Sequence, residues 1–342
     1  MRVEVTRDAQ GGTRADMFDA RQLYDEAGLA LEAGRFDRAL ELYGRLVATF
    51  PDSRWVPAAL FGAGLALEEK GDRDAAIARY LDLVRRAPAT RHALDAHIRA
   101  AIVTADLGRW RDALRCLDDV AARADLTDSD RIELHARRGA VLVDSRRYAE
   151  AETALAAAIA LRAEVARVPR DRASAIDSFL AMASYYLGEI PRRQSEAMRL
   201  QLPESALERD IEAKAKLILT AQRRFEDTIR VGNLEWATAA GYQLGAMQED
   251  MGLSLIAAPV PRALAPNAAA VYTTEVRALA RAHFEKAIAA HEMNLKVAEL
   301  NAVRTPWSER SRQRIPHIRR FLQEPVNRQP AGARARGVGE GG

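Results

Sequence analysis

Histidine, cysteine and carboxylate side chains are the groups of this chain that could bind a metal or act on a substrate. The six histidines contain no HExxH pattern, and no pair of them stands beside the cysteine. His283 and His291 fall on one face of a predicted helix two turns apart, which is a loose spacing for a zinc site. Cys116 is the only cysteine, so an internal disulfide and a cysteine-based metal cluster are excluded. We therefore predict packed or surface histidines, a small apolar role for Cys116, and no metal site.

Glycine-rich and nucleophile motifs also give no sign of catalysis. Gly62-Ala63-Gly64 and Gly337-Val338-Gly339 lack the strand–turn–helix context of a dinucleotide loop. The chain has no Walker sequence and no Gly-x-Ser-x-Gly elbow. Carboxylates are plentiful but are spread along helix faces, as on a solvated surface. The sequence predicts neither an enzyme nor a bound cofactor or small-molecule substrate.

Composition favours closely packed helices. The 342 residues allow two domains or one elongated array, and 48% are hydrophobic, 6% aromatic and 29% charged. Few strands are expected, because β-branched runs bounded by turn signals are missing. No stretch has transmembrane length, and the first five residues contain no apolar signal core. We expect a cytoplasmic protein as the sequence stands, or a periplasmic or envelope-associated one if the true start lies upstream.

A six-residue motif recurs at residues 34–39, 71–76, 108–113 and 146–151. Each copy ends in an alanine, and these alanines are 37, 37 and 38 residues apart. Four residues after each alanine comes a large side chain: Tyr43, Tyr80, Leu117 or Leu155. A fixed period of this length indicates stacked helix pairs. Glycine at the turn then ends the first helix in a left-handed conformation. The alanine marks a close approach of two helices, and the large residue fills the space beside it.

This pattern resembles the tetratricopeptide repeat family, which places a small residue in the first helix, then a turn glycine, Ala-x3-aromatic and proline. The first two copies read Ala27, Gly34, Ala39, Tyr43, Pro51 and Gly64, Gly71, Ala76, Tyr80, Pro88. The third copy reads Ala101, Gly108, Ala113, Leu117, and the fourth keeps Gly139, Ala151 and Leu155 with Arg146 at the turn. The resemblance covers about residues 20–165 and implies a protein-binding helical solenoid.

The second half is less regular. Ala221-x3-Phe225 and Ala280-x3-Phe284 look like second helices of two stretched repeats. Their first helices are predicted at 173–188 and 235–250, with insertions at 191–207 and 251–273, and the second insertion holds an extended Ala-Pro-Val-Pro segment. A final helix, kinked near Pro316, is expected to close the stack.

The predicted fold class is all-α, a tetratricopeptide-type helical-hairpin solenoid with irregular C-terminal repeats. Its predicted parts are an N-terminal extension, four regular repeats, two stretched repeats with a capping helix, and a disordered Arg/Gly-rich tail, at residues 1–19, 20–165, 166–323 and 324–342.

The repeat phase also predicts a binding groove. Ligands of the resembling family lie along the first helices, whose twenty inward positions here hold seven acids and one arginine, Arg21. The predicted partner-binding residues are Tyr24, Glu32, Phe61, Leu65, Glu68, Glu69, Asp95, Ile98, Asp106, Glu133 and Asp144. The inward Lys, Asn and Arg with which some family members clamp a C-terminal carboxylate are missing. An acidic groove with apolar patches suits a basic or amphipathic peptide segment. The alternative is that these acids only keep the wall soluble.

We therefore expect a scaffold or adaptor that binds a protein or peptide; its oligomeric state is left open. Residues 232–242 and the Ala-Pro-Val-Pro segment resemble myxobacterial tetratricopeptide proteins, a group with gliding-motility components. This resemblance implies an envelope-associated scaffold in a motility complex.

The arginine-rich C-terminal end carries a further set of alternatives. From residue 303 onward, nine arginines and three glutamates give 9 − 3 = +6. The end is either a solvated tail, a contact to nucleic acid or an anionic membrane, or a segment that docks in an acidic groove. The second of these is the alternative function, a tail-mediated adaptor for nucleic acid or a membrane surface.

Overall fold

The computed structural model describes residues 2–7, 13–164 and 170–323, with side chains for 19–164 and 176–323. In these ranges a short β-hairpin precedes thirteen α-helices. Apart from the hairpin the described chain is helical, which confirms the predicted helical solenoid. Strand β1 (Arg2–Arg7) pairs antiparallel with β2 (Thr13–Phe18). The hairpin was not predicted within the N-terminal extension, although Val3 and Val5 give β1 a strand-like alternation. The predicted disorder of residues 324–342 lies outside the described residues.

The helices fall into two compact units, Met1–Val165 and Ala166–Gly342. The N-terminal unit contains α1 Ala20–Glu32, α2 Phe36–Thr49, α3 Val56–Lys70, α4 Arg73–Arg86, α5 Arg91–Asp106, α6 Trp110–Ala121, α7 Asp128–Asp144 and α8 Tyr148–Glu164. The C-terminal unit contains α9 Arg170–Ala197, α10 Glu204–Val231, α11 Leu234–Ile256, α12 Pro266–Leu300 and α13 Pro306–Gln323.

The N-terminal unit is a stack of four helix pairs, as the period predicts. Each helix packs on the next along the chain, and the first helices also contact one another, α1 with α3, α3 with α5 and α5 with α7. Helices that touch both their partner and their counterparts in neighbouring pairs lie on the inner side of such a stack. The first helices therefore form one continuous face.

The turn inside each pair has the left-handed conformation that the sequence predicts. Gly34, Gly71 and Gly108 have φ values of +69°, +87° and +72°. In the fourth pair Arg146 occupies the same position with φ +61°. A non-glycine residue in this conformation costs about 1–2 kcal/mol. The degenerate fourth copy thus keeps the turn geometry without the residue that favours it.

Within a pair, a small residue of the first helix receives a large side chain of the second. A Cβ atom added to Gly64 would lie 2.2 Å from the ring of Tyr80, and one added to Gly139 would lie 2.3 Å from the side chain of Leu155. Tyr80 and Leu155 are fully buried. Because interiors are packed to crystal-like density, these contacts leave no room for even one methyl group.

The C-terminal unit uses the same contact. Phe225 of α10 packs on Gly188 of α9, and Phe284 of α12 packs on Gly252 of α11; an added Cβ would lie 2.8 and 2.9 Å from the respective rings. Helices α9, α11 and α13 contact one another in order, so α13 takes the place of the first helix of a further pair. Helices α9 and α10 thus form one further pair, α11 and α12 form another, and α13 follows them.

The predicted insertions are wrong in extent. Helix α9 continues through Pro191 to Ala197, and α11 continues to Ile256. The extra residues lengthen helices, and only 198–203 and 257–265 remain outside them. The Ala-Pro-Val-Pro segment lies in the second of these loops, as expected. A proline inside a helix removes one backbone hydrogen bond without ending the helix when neighbouring helices hold it.

The contact between Gly64 and Tyr80 can be tested by Gly64→Ala. The added methyl should overpack the pair and lower the free energy of unfolding by about 1–3 kcal/mol. Gly44→Ala is the matched control, because nothing lies within 4 Å of a Cβ at this position of α2. The control should gain up to about 1 kcal/mol from higher helix propensity. Urea unfolding measures both values, and equal effects of the two substitutions would contradict the contact.

Candidate functional site

The first-helix face of the N-terminal unit contains a shallow depression of about 360 Å³ between α1 and α3. It is lined by Leu31, Glu32, Leu65 and Glu69, with Gly34 and Phe36 at the turn. The four named side chains all come from the inward positions predicted from the repeat phase. Four residues that the sequence assigns to the groove therefore lie together beside the turn at Gly34.

The acids of this face differ in how far they are neutralised. Glu32 and Glu69 are exposed, and neither forms an ion pair with any residue that the structure describes. Three other predicted acids are paired with arginines outside the twenty inward positions, in the pairs Glu68–Arg99, Asp95–Arg91 and Glu133–Arg137. Part of the predicted negative charge is therefore neutralised, whereas Glu32 and Glu69 leave two unpaired carboxylates at the depression.

Two more predicted acids lie near each other at the ends of α5 and α7. Burial raises the pKa of the Asp106 carboxyl, and the neighbouring Asp144 raises it further, while Arg73 and Arg99 act in the opposite direction. Asp106 is exposed at its tip, so it remains accessible on the face.

The aromatic and aliphatic residues of the predicted site have different environments. Tyr24 is half-buried and stacks on Trp55, with ring centroids 4.9 Å apart. Phe61 is also half-buried, and its centroid lies 5.7 Å from that of Tyr80. Ile98 is only 4% exposed, so it belongs to the core and offers no surface to a partner.

A buried polar network holds α11, α12 and α13 together in the C-terminal unit. His291 Nδ1 lies 3.2 Å from Ser311 Oγ, and Asn294 Nδ2 donates to Ser311 Oγ and to the Thr238 carbonyl. Thr238 Oγ1 and Thr305 Oγ1 are 2.8 Å apart. Buried polar groups that bond to one another in this way fix a single packing arrangement. His291 is therefore a packing residue, as predicted.

The network predicts a dependence of stability on pH. Burial lowers the pKa of His291 to about 4 from an ordinary 6.5. The unfolded chain therefore binds the proton more readily, and stability is full above pH 6.5 and is lost as the pH falls towards 4. The loss should reach about 3 kcal/mol.

The free energy of unfolding is measured for the wild type and for His291→Gln between pH 7 and 4. The contribution of His291 is the part of the difference between the two proteins that changes with pH. His317→Gln, at an exposed position of α13, is the control. Its free energy of unfolding should differ from that of the wild type by the same amount at every pH. Parallel pH profiles for the wild type and His291→Gln would contradict the assignment.

A second concave surface was missed by the sequence analysis. A cleft of about 400 Å³ in the C-terminal unit is lined by side chains of α9, α11 and α13, including Tyr186, Trp236, Tyr242, Trp307 and Arg310. We call it the aromatic cleft. Its only sequence signal is a concentration of Tyr and Trp in a chain with 6% aromatic residues. Among the described residues no cluster of three potential metal ligands occurs, and no helix has the length and apolarity to cross a bilayer.

Stacked helix pairs with inward-facing first helices define a helical-repeat protein. The family model described as tetratricopeptide repeat matches residues 16–53 and 58–90, which contain the first two pairs. This match confirms, for the first two helix pairs, the tetratricopeptide repeat resemblance found in the sequence.

No curated protein sequence matches the chain. Among solved structures, it is similar to MamA residues 41 to the end from Desulfovibrio magneticus RS-1, at 18% identity, with 61% of this chain and 98% of that one covered and a TM-score of 0.40. It is also similar to a tetratricopeptide repeat protein from Parabacteroides merdae, at 12% identity, with 88% and 98% covered and a TM-score of 0.40.

Proposed function

We propose that the chain is a protein-interaction scaffold whose N-terminal unit binds a basic, amphipathic peptide segment at the depression between α1 and α3. The tetratricopeptide repeats support a protein–protein interaction role in general terms. The observation that carries the finer proposal is the pair of unneutralised acids, Glu32 and Glu69, beside the apolar Leu31 and Leu65.

The chemistry of the depression selects such a segment. Lysine or arginine side chains of the ligand meet two exposed carboxylates that have no competing partner among the described residues. Apolar side chains of the ligand meet Leu31 and Leu65, so that one face of an amphipathic helix can make both kinds of contact. Exposed acids of this kind raise the association rate and impose selectivity more than they add affinity. Binding should therefore weaken as salt concentration rises.

Helix packing supplies a surface that is formed before the ligand arrives. Tyr24 of α1 stacks on Trp55, which directly precedes α3, and Glu68 of α3 is paired with Arg99 of α5, so α1, α3 and α5 are held in place. A ligand that meets a preformed wall avoids much of the cost of ordering it.

The test is charge reversal at the depression. Glu32→Lys with Glu69→Lys should weaken binding of a synthetic Lys/Leu amphipathic helical peptide at least tenfold, because repulsion replaces attraction. The control is Glu26→Lys with Glu152→Lys, which makes the same charge change at two other exposed positions. Isothermal titration calorimetry at low and moderate salt measures both variants.

Equal weakening in the two double variants would show that only net charge matters, and would contradict a site at the depression. Absence of binding by the wild type at low salt would overturn the proposal itself. Glu68 is left unchanged in this test, because its reversal would break the ion pair with Arg99 and confuse binding with stability.

A further inference from the structure

The aromatic cleft of the C-terminal unit is built from three helices that come together only in the folded chain. Tyr185, on α9, is at its centre and is 5% exposed. Its ring centroid lies 5.2 Å from that of Trp236 on α11 and 6.5 Å from that of Trp307 on α13. The two indole rings therefore flank one buried tyrosine and are both half-buried.

The floor of the cleft is held rigid by buried polar contacts. Gln243 donates to the Tyr185 hydroxyl at 2.9 Å. Glu189, which is 3% exposed, accepts two hydrogen bonds from Arg192, at 2.6 and 2.9 Å, and a further one from Arg193 at 3.1 Å. Such a supporting layer fixes the orientation of the rings above it. The cleft is therefore a preorganised surface.

Three aromatic side chains of the cleft carry polar groups that have no hydrogen-bond partner among the described residues. The indole N–H groups of Trp236 and Trp307 and the hydroxyl of Tyr242 make no hydrogen bond to any residue that the structure describes. All three side chains are half-buried, so part of each remains open to the cleft. A ligand with unpaired acceptors, together with ring or methylene groups to pack on the aromatic faces, would satisfy both features.

A peptide segment in the polyproline II conformation has this combination of groups. Its backbone carbonyls make no internal hydrogen bonds, and its proline rings are apolar. Proline-rich segments bind aromatic-lined grooves with a low entropic cost because their conformation exists before binding. Since the segment rises about 3.1 Å per residue, three or four residues are enough to contact both indoles.

The charge of the cleft adds a preference. Its lining contains three arginines and two glutamates. Glu189 forms ion pairs with Arg192 and Arg193, whereas Glu235 is exposed. Arg310 is exposed, lies 4.7 Å from the centroid of the Trp307 ring, and forms no ion pair with a described residue. Trp236 and Trp307 also sit in the first turns of α11 and α13, whose N-termini favour negative charge. With Glu235 counted, the lining carries a net charge of 3 − 2 = +1, so a ligand with an acidic residue at Arg310 is favoured.

We propose that the aromatic cleft binds an acidic, proline-rich peptide segment of a partner protein, with prolines on Trp236 and Trp307 and a carboxylate on Arg310. This site is independent of the depression between α1 and α3, and it lies wholly within the C-terminal unit. The chain would then hold two partner segments of opposite charge, one at each unit.

The experiment titrates the full chain with three synthetic peptides of roughly twelve residues, long enough to span the cleft. One is proline-rich with glutamate flanks, the second has alanine in place of proline, and the third has lysine flanks. Calorimetry gives affinities, and the change in tryptophan fluorescence reports contact with Trp236 and Trp307. The acidic proline-rich peptide should bind at least tenfold more tightly than either of the others.

Two variants locate the site. Arg310→Glu should weaken binding of the acidic peptide at least tenfold, whereas Arg320→Glu, the same charge change at another exposed position of α13, should alter it less than twofold. Trp236→Phe keeps a ring but removes the indole N–H, and should weaken binding severalfold with an unchanged circular dichroism spectrum.

Equal binding of the alanine peptide would overturn the assignment to proline-rich segments, and equal effects of Arg310→Glu and Arg320→Glu would overturn the assignment to the cleft. Failure of all three peptides to bind, or Arg310-dependent binding of a single-stranded oligonucleotide in their place, would also reject it. Because none of these variants touches α1 or α3, their results are separate from the test of Glu32 and Glu69.

Discussion

The contact between a small residue of one helix and a large residue of its partner is the constraint on which the fold depends. Tyr80 and Leu155 fill spaces that exist only because Gly64 and Gly139 have no side chain. The contact sets the distance between the two helices of a pair. It leaves the opposite side of each first helix free to vary, so the residues that form the binding surfaces are not those that determine the fold.

The same contact explains why the C-terminal unit is irregular in sequence and yet regular in packing. Gly64 and Tyr80 are sixteen residues apart, whereas Gly188 and Phe225 are thirty-seven apart. The longer spacing is taken up by helices that extend past the contact, α9 and α10 each having 28 residues. Longer first helices bring more side chains to one face, and the aromatic cleft lies on the face so formed.

Most of the N-terminal unit could be predicted from the sequence, because its fixed period places turn, alanine and large residue in the same order four times. The groove positions followed from that period, including Glu32, Leu65 and Glu69. The partners of the other acids could not be predicted this way. Arg99 of α5 neutralises Glu68 of α3, and only the packing of neighbouring helices shows this pair. The pair of Glu133 and Arg137 is local, four residues apart on α7, and was missed because only inward positions were counted.

The C-terminal unit was predicted less well for two physical reasons. Pro191 was taken as a helix end, but packing on α10 and α11 lets α9 continue through it. The aromatic cleft joins Tyr185, Trp236 and Trp307, residues separated by more than fifty positions along the chain. No local pattern links such residues, so their proximity is a product of tertiary structure alone.

The most direct test of this account is a double-mutant cycle at Gly188 and Phe225, where the sequence period no longer applies. Gly188→Ala and Phe225→Leu should each destabilise the chain, one by overpacking and the other by leaving a cavity. If the small residue exists to admit the large one, the alanine methyl should enter the space that the shortened side chain vacates. The double variant should then lose less stability than the two single variants together, by about 1 kcal/mol or more. Additive effects, within about 0.5 kcal/mol, would contradict the claim that this contact sets the distance between paired helices in each unit.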